Sequence, residues 1–500
     1  MTKLGRSAFV LALLGGTALL AAGAQARDIG ETVAKTLPRL QSTMNGNDCN
    51  GALKLVSPIL ARKDFTTLEP KQQAPVLLAA TLCEGDTNKL EPALVHARML
   101  TALPGAPDVA WRIRYGVEID TGRNEDAVTT LEAVMKKPSA AATFENEWIF
   151  ALARKLAATP DDPAYGRLTA LVSADDFAPA QYEFGFDGMR LAHARQLAKD
   201  GKPDQAKAML GKLRLGSAMR DASLDPVLRG LLPADFKLSD AYRHEVSVLE
   251  KMSLERPGLL ALPIDLAATQ RALGQGDKAL ATLEAARPDG ALAKQFSDRK
   301  DRINWWWDGM ARTYEQLGRY DKAVEAYQAA IALGEYGKPN FSQTINLAYL
   351  HIRFGHQQDA MTVLAPFADQ PVAIASPYGM MEFHLAHGCA AQALGQTDAA
   401  NADLAYAVAH AKDHPEAFTD LQLCLGRIDT AAAAMIARLN DPTLRIDALA
   451  QLSDYRALPA GVPPGPFDAG MQVLRGRADV QAAIARAGGT RHFDIYPSSL

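Results

Sequence analysis

Little in this sequence speaks for a reactive centre. It has four cysteines, Cys49, Cys83, Cys389 and Cys424, and none falls in a CxxC spacing. Neither a zinc ribbon nor a thioredoxin-type redox pair is suggested. There is no GxSxG, no P-loop and no evident paired-carboxylate site, and His244-Glu245 lacks the second histidine of HExxH. A basic excess is missing as well. Lys and Arg number 53 against 57 Asp and Glu, for a net charge of −4, which disfavours general nucleic-acid binding. Beyond the N-terminal segment no run is apolar enough to span a membrane. The strict alternation of a β-barrel strand is absent too, because the apolar residues recur with helical spacing almost throughout.

Two further motifs dissolve on inspection. Gly274-Gln275-Gly276-Asp277-Lys278-Ala279 fits the GxGxxA dinucleotide pattern. That motif works only after a strand, where backbone amides cradle a pyrophosphate at the next helix start, and the preceding LAATQRAL reads as helix. His384 and His387 are three apart with Glu382 and Cys389 nearby, and His410 and His414 are four apart. Each pair offers two ligands to a metal, and packed or solvent-facing histidines explain them equally well. No cofactor and no metal site is expected.

The N-terminus does carry a signal. Lys3 and Arg6 precede an apolar stretch from Ser7 to Ala22, and Ala24-Gln25-Ala26 is a small-x-small cleavage pattern. This reads as a cleavable secretory signal over residues 1–26; an uncleaved anchor is the alternative, for which the apolar run is short. The expected location is periplasmic. Removing 1–26 of 500 residues leaves 474, and losing Lys3 and Arg6 takes the net charge from −4 to −6.

What fills the mature chain is a repeated helical pattern. In Trp307 to Leu333, WDGMARTYEQLGRYDKAVEAYQAAIAL, two short amphipathic helices flank a turn at Gly318. Trp307, Met310, Ala311 and Tyr314 share one face of the first helix. Ala323, Tyr327 and Ala330 share one face of the second. The turn glycine recurs with an alanine five residues later at Gly122/Ala127, Gly201/Ala206, Gly274/Ala279, Gly355/Ala360, Gly395/Ala400 and Gly426/Ala431. From Gly274 the glycine intervals are 44, 37, 40 and 31 residues; upstream they are 79 and 73, about two repeats each. Degenerate repeats around Trp148 and Tyr242 are expected in those gaps. The Trp307–Leu333 segment resembles the tetratricopeptide repeat, a helical hairpin of about 34 residues with an aromatic, a small residue, a tyrosine, a turn glycine and two alanines at these offsets. The resemblance implies an all-α, tetratricopeptide-like α-solenoid of antiparallel helix pairs, since one hairpin cannot bury its own apolar face.

The expected organisation is a signal over 1–26, degenerate helical repeats over 27–216, tetratricopeptide-like repeats over 217–455, and a C-terminal segment over 456–500. The polar stretch 217–240 is a candidate hinge. LPAGVPPGP, Leu458 to Pro466, is a Pro-rich linker, and Phe467 to Gly488 reads as two capping helices. Phe493, Ile495 and Tyr496 favour docking of the tail over an extended, disordered end. Cys49 starts one predicted helix and Cys83 ends the next, and those ends meet in an antiparallel pair. Cys389 and Cys424 fall on the first helices of adjacent repeats. Two disulfides, Cys49–Cys83 and Cys389–Cys424, are therefore expected in an oxidising compartment, with four buried thiols as the alternative.

Trp305-Trp306-Trp307 points three ways around a helix. The repeat pattern puts Trp307 in the core and turns at least one of the other two outward or toward a neighbouring repeat. It also places Trp305, Asp308 and Arg312 on the inner groove, with Tyr349 and Arg353 on the matching face of the next repeat. Exposed aromatics and arginines make binding anchors. The function expected is non-catalytic binding of protein or peptide partners in a cell-envelope assembly. A scaffold for polysaccharide synthesis or export is one alternative, favoured by neighbouring synthase and porin genes. An enzyme with a site in the groove is another, favoured by buried charged residues with strongly shifted pKa values.

Overall fold

A computed structural model describes residues 24–142, 144–159, 162–177, 184–289, 293–335, 337–368 and 375–497. Most of the expected leader, residues 1–23, lies outside them. The described chain is all-α, with 26 α-helices; among the described residues no strand forms, only the isolated bridges Glu335–Lys338 and Asp454–His492. No described helix is long and apolar enough to cross a membrane. The chain divides into two compact units, residues 1–193 and 194–500.

In the first unit the helices are α1 Ala24–Asn45, α2 Cys49–Leu60, α3 Pro70–Asp86, α4 Leu90–Ala102, α5 Asp108–Asp120, α6 Asn124–Met135, α7 Pro138–Ala141, α8 Asn146–Ala157 and α9 Pro163–Ser173. Helix α10, Asp187–Lys199, spans the division. The second unit continues with α11 Pro203–Leu210, α12 Gly216–Leu224, α13 Leu238–Glu255, α14 Ala261–Ala272, α15 Gly276–Ala285, α16 Arg299–Gln316, α17 Tyr320–Ala332 and α18 Phe341–Arg353. It ends with α19 Gln357–Ala368, α20 Pro377–Ala393, α21 Thr397–Ala409, α22 Pro415–Cys424, α23 Ile428–Asn440, α24 Arg445–Leu452, α25 Asp468–Gly476 and α26 Ala478–Ala487. The 217–240 stretch lies within the second unit and contains most of α12.

One local device builds the hairpins. All seven turn glycines of the sequence pattern are left-handed, with φ between 68° and 82°. Asn47 at 55° and Asn88 at 59° do the same work in α1–α2 and α3–α4. In each of the nine, the next residue donates its N–H to the carbonyl five residues back. The donors and acceptors run from Asp48 to Thr43, Lys89 to Glu84, Arg123 to Glu118 and Lys202 to Leu197, then Gln275 to Gln270, Arg319 to Tyr314, His356 to His351, Gln396 to Ala391 and Arg427 to Gln422. The distances are 2.7–3.1 Å. This closure satisfies carbonyls that a helix end otherwise leaves orphaned. Glycine meets the left-handed requirement without a Cβ penalty, and asparagine tolerates it. Five residues on, Ala52, Ala93, Ala127, Ala206, Ala279, Ala323, Ala360, Ala400 and Ala431 are each at most 2% exposed. A methyl group is all that fits where the returning helix crosses its partner.

The predicted tryptophan register is one residue off. Trp306, at 1% exposure, is the fully buried one, and its indole N–H donates to the Leu283 carbonyl of α15 at 2.9 Å. Trp307 is only partly buried, set edge-on to Trp306 with ring centroids 4.7 Å apart. The preceding hairpin supplies the covering surface, and that surface decides which tryptophan is enclosed.

Both disulfides form. Cys49–Cys83 ties the start of α2 to α3, with Cα atoms 4.8 Å apart, and Cys389–Cys424 ties α20 to α22 at 5.3 Å. The C-terminal segment folds back onto the start of the second unit. Phe493 and Ile495 are buried. Tyr496 N–H donates to the Ala272 carbonyl at 2.8 Å, and Arg456 donates to the Leu273 carbonyl at 3.2 Å. Asp494 accepts from the Ser239 N–H at 3.0 Å and from its hydroxyl, so it caps the first turn of α13 from 255 residues away.

Candidate functional site

The first helices of successive hairpins in the second unit, α14, α16, α18, α20 and α22, pack side by side in that order. Their shared face is polar and largely buried. Such groups persist in an interior only when mated, and most of these are.

A first cluster centres on α16. Asp308, 6% exposed, accepts from Arg312 Nε at 2.8 Å and from Asn346 Nδ2 at 2.6 Å. Arg353 Nε lies 3.0 Å from Glu315 Oε1. Arg271 reaches across from α14, where its Nη1 donates to the Gly309 carbonyl and the Thr313 hydroxyl, each at 3.3 Å. Its Nε has no hydrogen-bond partner. Burial pulls the Arg271 guanidinium down to about 10, and the neighbouring Arg312 charge adds to the pull. Arg312 is held above its ordinary value, chiefly by the Asp308 carboxylate. Burial pushes Glu315 upward, with Arg353 and Arg312 opposing.

A second cluster joins α18, α20 and α22. The Tyr349 hydroxyl donates to Glu382 Oε2 at 2.7 Å, and His414 Nε2 lies 2.7 Å from Glu382 Oε1. Tyr378 stacks on His414 with centroids 4.3 Å apart. Burial drives the Tyr349 hydroxyl well above 10, and burial with the Glu382 charge raises Tyr378 to about 12. Deeper, Asp420 accepts from Gln451 Nε2 at 2.7 Å, and Gln451 Oε1 accepts from Arg438 at 2.7 Å. Burial, then the Glu416 charge, lifts Asp420 well above the usual carboxylate range.

The five groove residues read from the sequence thus separate. Asp308, Arg312 and Arg353 fall in the first cluster and Tyr349 in the second. Trp305, 39% exposed, stands at the rim of α16, and Tyr378, 56% exposed, stands at the start of α20. Sequence reading passed over Arg271, Glu315, Asn346, Tyr378, Glu382, His414 and Asp420 as groove residues. Arg271 and Glu315 both lie three residues before a turn glycine, a position the apolar pattern does not mark.

The histidines flagged as metal candidates have other partners. His384 and His387 each place Nδ1 2.7 Å from a different oxygen of Asp403. His410 pairs with Asp413 while His414 turns to Glu382. Among the described residues no group of three His, Cys, Asp or Glu side chains is arranged to hold a metal. Gly274 opens the α14–α15 turn after a helix, not a strand.

Residues 307–335 match the tetratricopeptide repeat family model. No curated protein matches the chain. Solved structures similar to it include a human IFIT1 dimer with m7Gppp-AAAA, at 11% identity and a TM-score of 0.28, covering 92% of this chain and 94% of that one. The APC/C hetero-tetramer Cut9–Hcn1 has the same identity and TM-score, covering 92% and 97%. Naa15/Naa10 bound to HypK is 16% identical with a TM-score of 0.28, covering 92% and 70%. Scores this low carry no argument about function. The match covers one repeat, residues 307–335, and the same hairpin geometry recurs on either side of it, so the chain carries a tetratricopeptide repeat within a run of similar helical hairpins.

Proposed function

We propose that the chain is an exported, periplasmic scaffold of a bacterial cell envelope, and that the second unit binds an extended segment of a protein partner without catalysing a reaction. One observation carries the binding reading. The face of α14–α22 combines exposed aromatics, Trp305 and Tyr378, with fixed polar groups beneath them. Rigid aromatics beside pre-positioned hydrogen-bonding groups are what an interface anchor requires. The leader pattern and two disulfides support export.

Site-specific photo-crosslinking in cells tests it. A crosslinking amino acid at position 305 or 378 is expected to trap one defined partner peptide. The same probe at position 254, on α13 and 84% exposed in the wild type, is expected not to. Equal trapping from all three positions would reject a specific groove.

A catalytic groove is the second reading, and Asp420 favours it. A buried carboxyl whose pKa burial raises well above the usual carboxylate range is the kind of group general acids use. On that reading Asp420→Asn would abolish turnover of a captured ligand and leave its capture intact.

A further inference from the structure

We propose that the guanidiniums of Arg271 on α14 and Arg312 on α16 form an oxyanion site that takes a sulfate, phosphate or carboxylate group. The inference rests on the groove-binding reading and names a ligand chemistry for it. Arg312 has Asp308 and Arg353 has Glu315, while Arg271 donates only to two neutral oxygens of α16. The Arg271 residue is only 7% exposed, and its Nε is unpartnered. A buried charge is tolerated when a counter-charge and hydrogen bonds replace lost water. For Arg271 the acceptors so far are weak and long, and the planar guanidinium fork matches a two-oxygen acceptor. Burial lowers the pKa of this group and the neighbouring Arg312 charge adds to it, with the Asp308 and Glu315 carboxylates opposing but neither paired to Arg271 directly. Arg312 retains 28% of its side-chain exposure, so the cluster opens to solvent on that side. Gln316 fixes the end of α14 by donating to the Arg271 carbonyl at 2.9 Å, which holds the arginine in register with α16.

The test uses the mature chain, residues 27–500. Its melting is followed in sodium chloride and in sodium sulfate at equal ionic strength, for wild type, Arg271→Gln and Arg271→Met. Sulfate should raise the wild-type transition saturably, as a ligand does, while the variants show only the general salting effect. Calorimetric titration should show sulfate affinity weakened about tenfold or more by Arg271→Gln, the loss of one charge-assisted contact. In chloride alone Arg271→Met should melt no lower than wild type, because it removes a buried charge that has no directly paired carboxylate. A glutamate-bearing peptide that competes with sulfate, where its glutamine counterpart does not, assigns the site to a partner's carboxylate. Sulfate binding without such competition assigns it to a free ion. A wild-type protein with no saturable response to sulfate, phosphate or acetate overturns the site whatever the variants do. So does an Arg271→Met protein that melts lower and keeps the wild-type sulfate shift. Loss of the anion response with partner trapping at position 305 intact would remove this site and leave the groove reading standing.

Discussion

The three consecutive tryptophans of α16 give one position each for core, edge and surface, so truncating them in turn separates packing from binding. Trp306 is the core position, 1% exposed, with its indole N–H satisfied by the Leu283 carbonyl at 2.9 Å. Trp306→Ala opens a cavity of indole size between α15 and α16 and removes one of two donors to the Leu283 carbonyl, which keeps the Ala286 N–H at 3.1 Å. Truncating a buried aromatic costs about 3–5 kcal/mol, and the lost hydrogen bond adds about 1 kcal/mol. A loss near 5 kcal/mol approaches the whole stability of many domains, at about 5–15 kcal/mol. At about 2–4 °C per kcal/mol for a large domain, the melting transition should fall by at least roughly 10 °C. Trp307→Ala should fall by less, because Trp307 is only partly buried. Trp305→Ala, at a 39% exposed position, should stay within about 1 kcal/mol of wild type. Scanning calorimetry of the protein resolves the series, with the second unit's transition as the readout. If Trp306→Ala melts with wild type, or if Trp307→Ala is the more damaging, the packing account of α15 and α16 is wrong.

Non-reducing peptide mapping should recover Cys49–Cys83 and Cys389–Cys424 and no crossed pairs; for loops of 34 and 35 residues each bridge is worth about 3–4 kcal/mol in the chain-entropy description. Gly318→Ala should cost about 1–2 kcal/mol through its positive φ of 68°, whereas Gly85→Ala, inside α3 with open space around a new Cβ, should stabilise by roughly 0.4–1 kcal/mol in urea unfolding. Asp420→Asn keeps the oxygen that accepts from Gln451 and removes a carboxyl whose folded pKa is raised. The wild-type group contributes its full stability below its unfolded pKa near 4 and loses it as pH rises toward the folded value. The variant's melting advantage should therefore be absent at about pH 4 and grow toward pH 8; a constant offset across that range would contradict the assignment.

The hairpins were legible because their chemistry is local. A left-handed residue and a small residue five places on define each one, and both sit within one stretch of chain. Asn47 and Asn88 escaped because their side chains differ from glycine while their backbones do not. The upstream repeats also replace the tyrosine of position 314 with Glu84 and Glu118, which are mated to His96 at 2.6 Å and Thr130 at 2.6 Å. Those exchanges keep the core filled and erase the aromatic signature. Trp306 was misread for a different reason, since its cover comes from Leu283, 23 residues earlier on another helix. The groove was only partly visible on the same grounds. Asp308 and Arg312 are four apart on one helix, but Arg271 joins them from α14 and Asn346 from α18. The cap that Asp494 places on α13 spans 255 residues and leaves no local mark.

The central claim is that the α14–α22 face holds the partner, and affinity for the trapped partner peptide measures it most directly. Trp305→Ala removes one exposed aromatic without touching the buried clusters, and Tyr378→Ala removes the other together with its stacking on His414. At about 2 kcal/mol for a hot-spot aromatic, each should raise Kd roughly thirtyfold, with the melting temperature unchanged in Trp305→Ala. Leu254→Ala, at an 84% exposed position on α13, should bind as wild type. Wild-type affinity in both aromatic variants, in folded protein, would contradict the account.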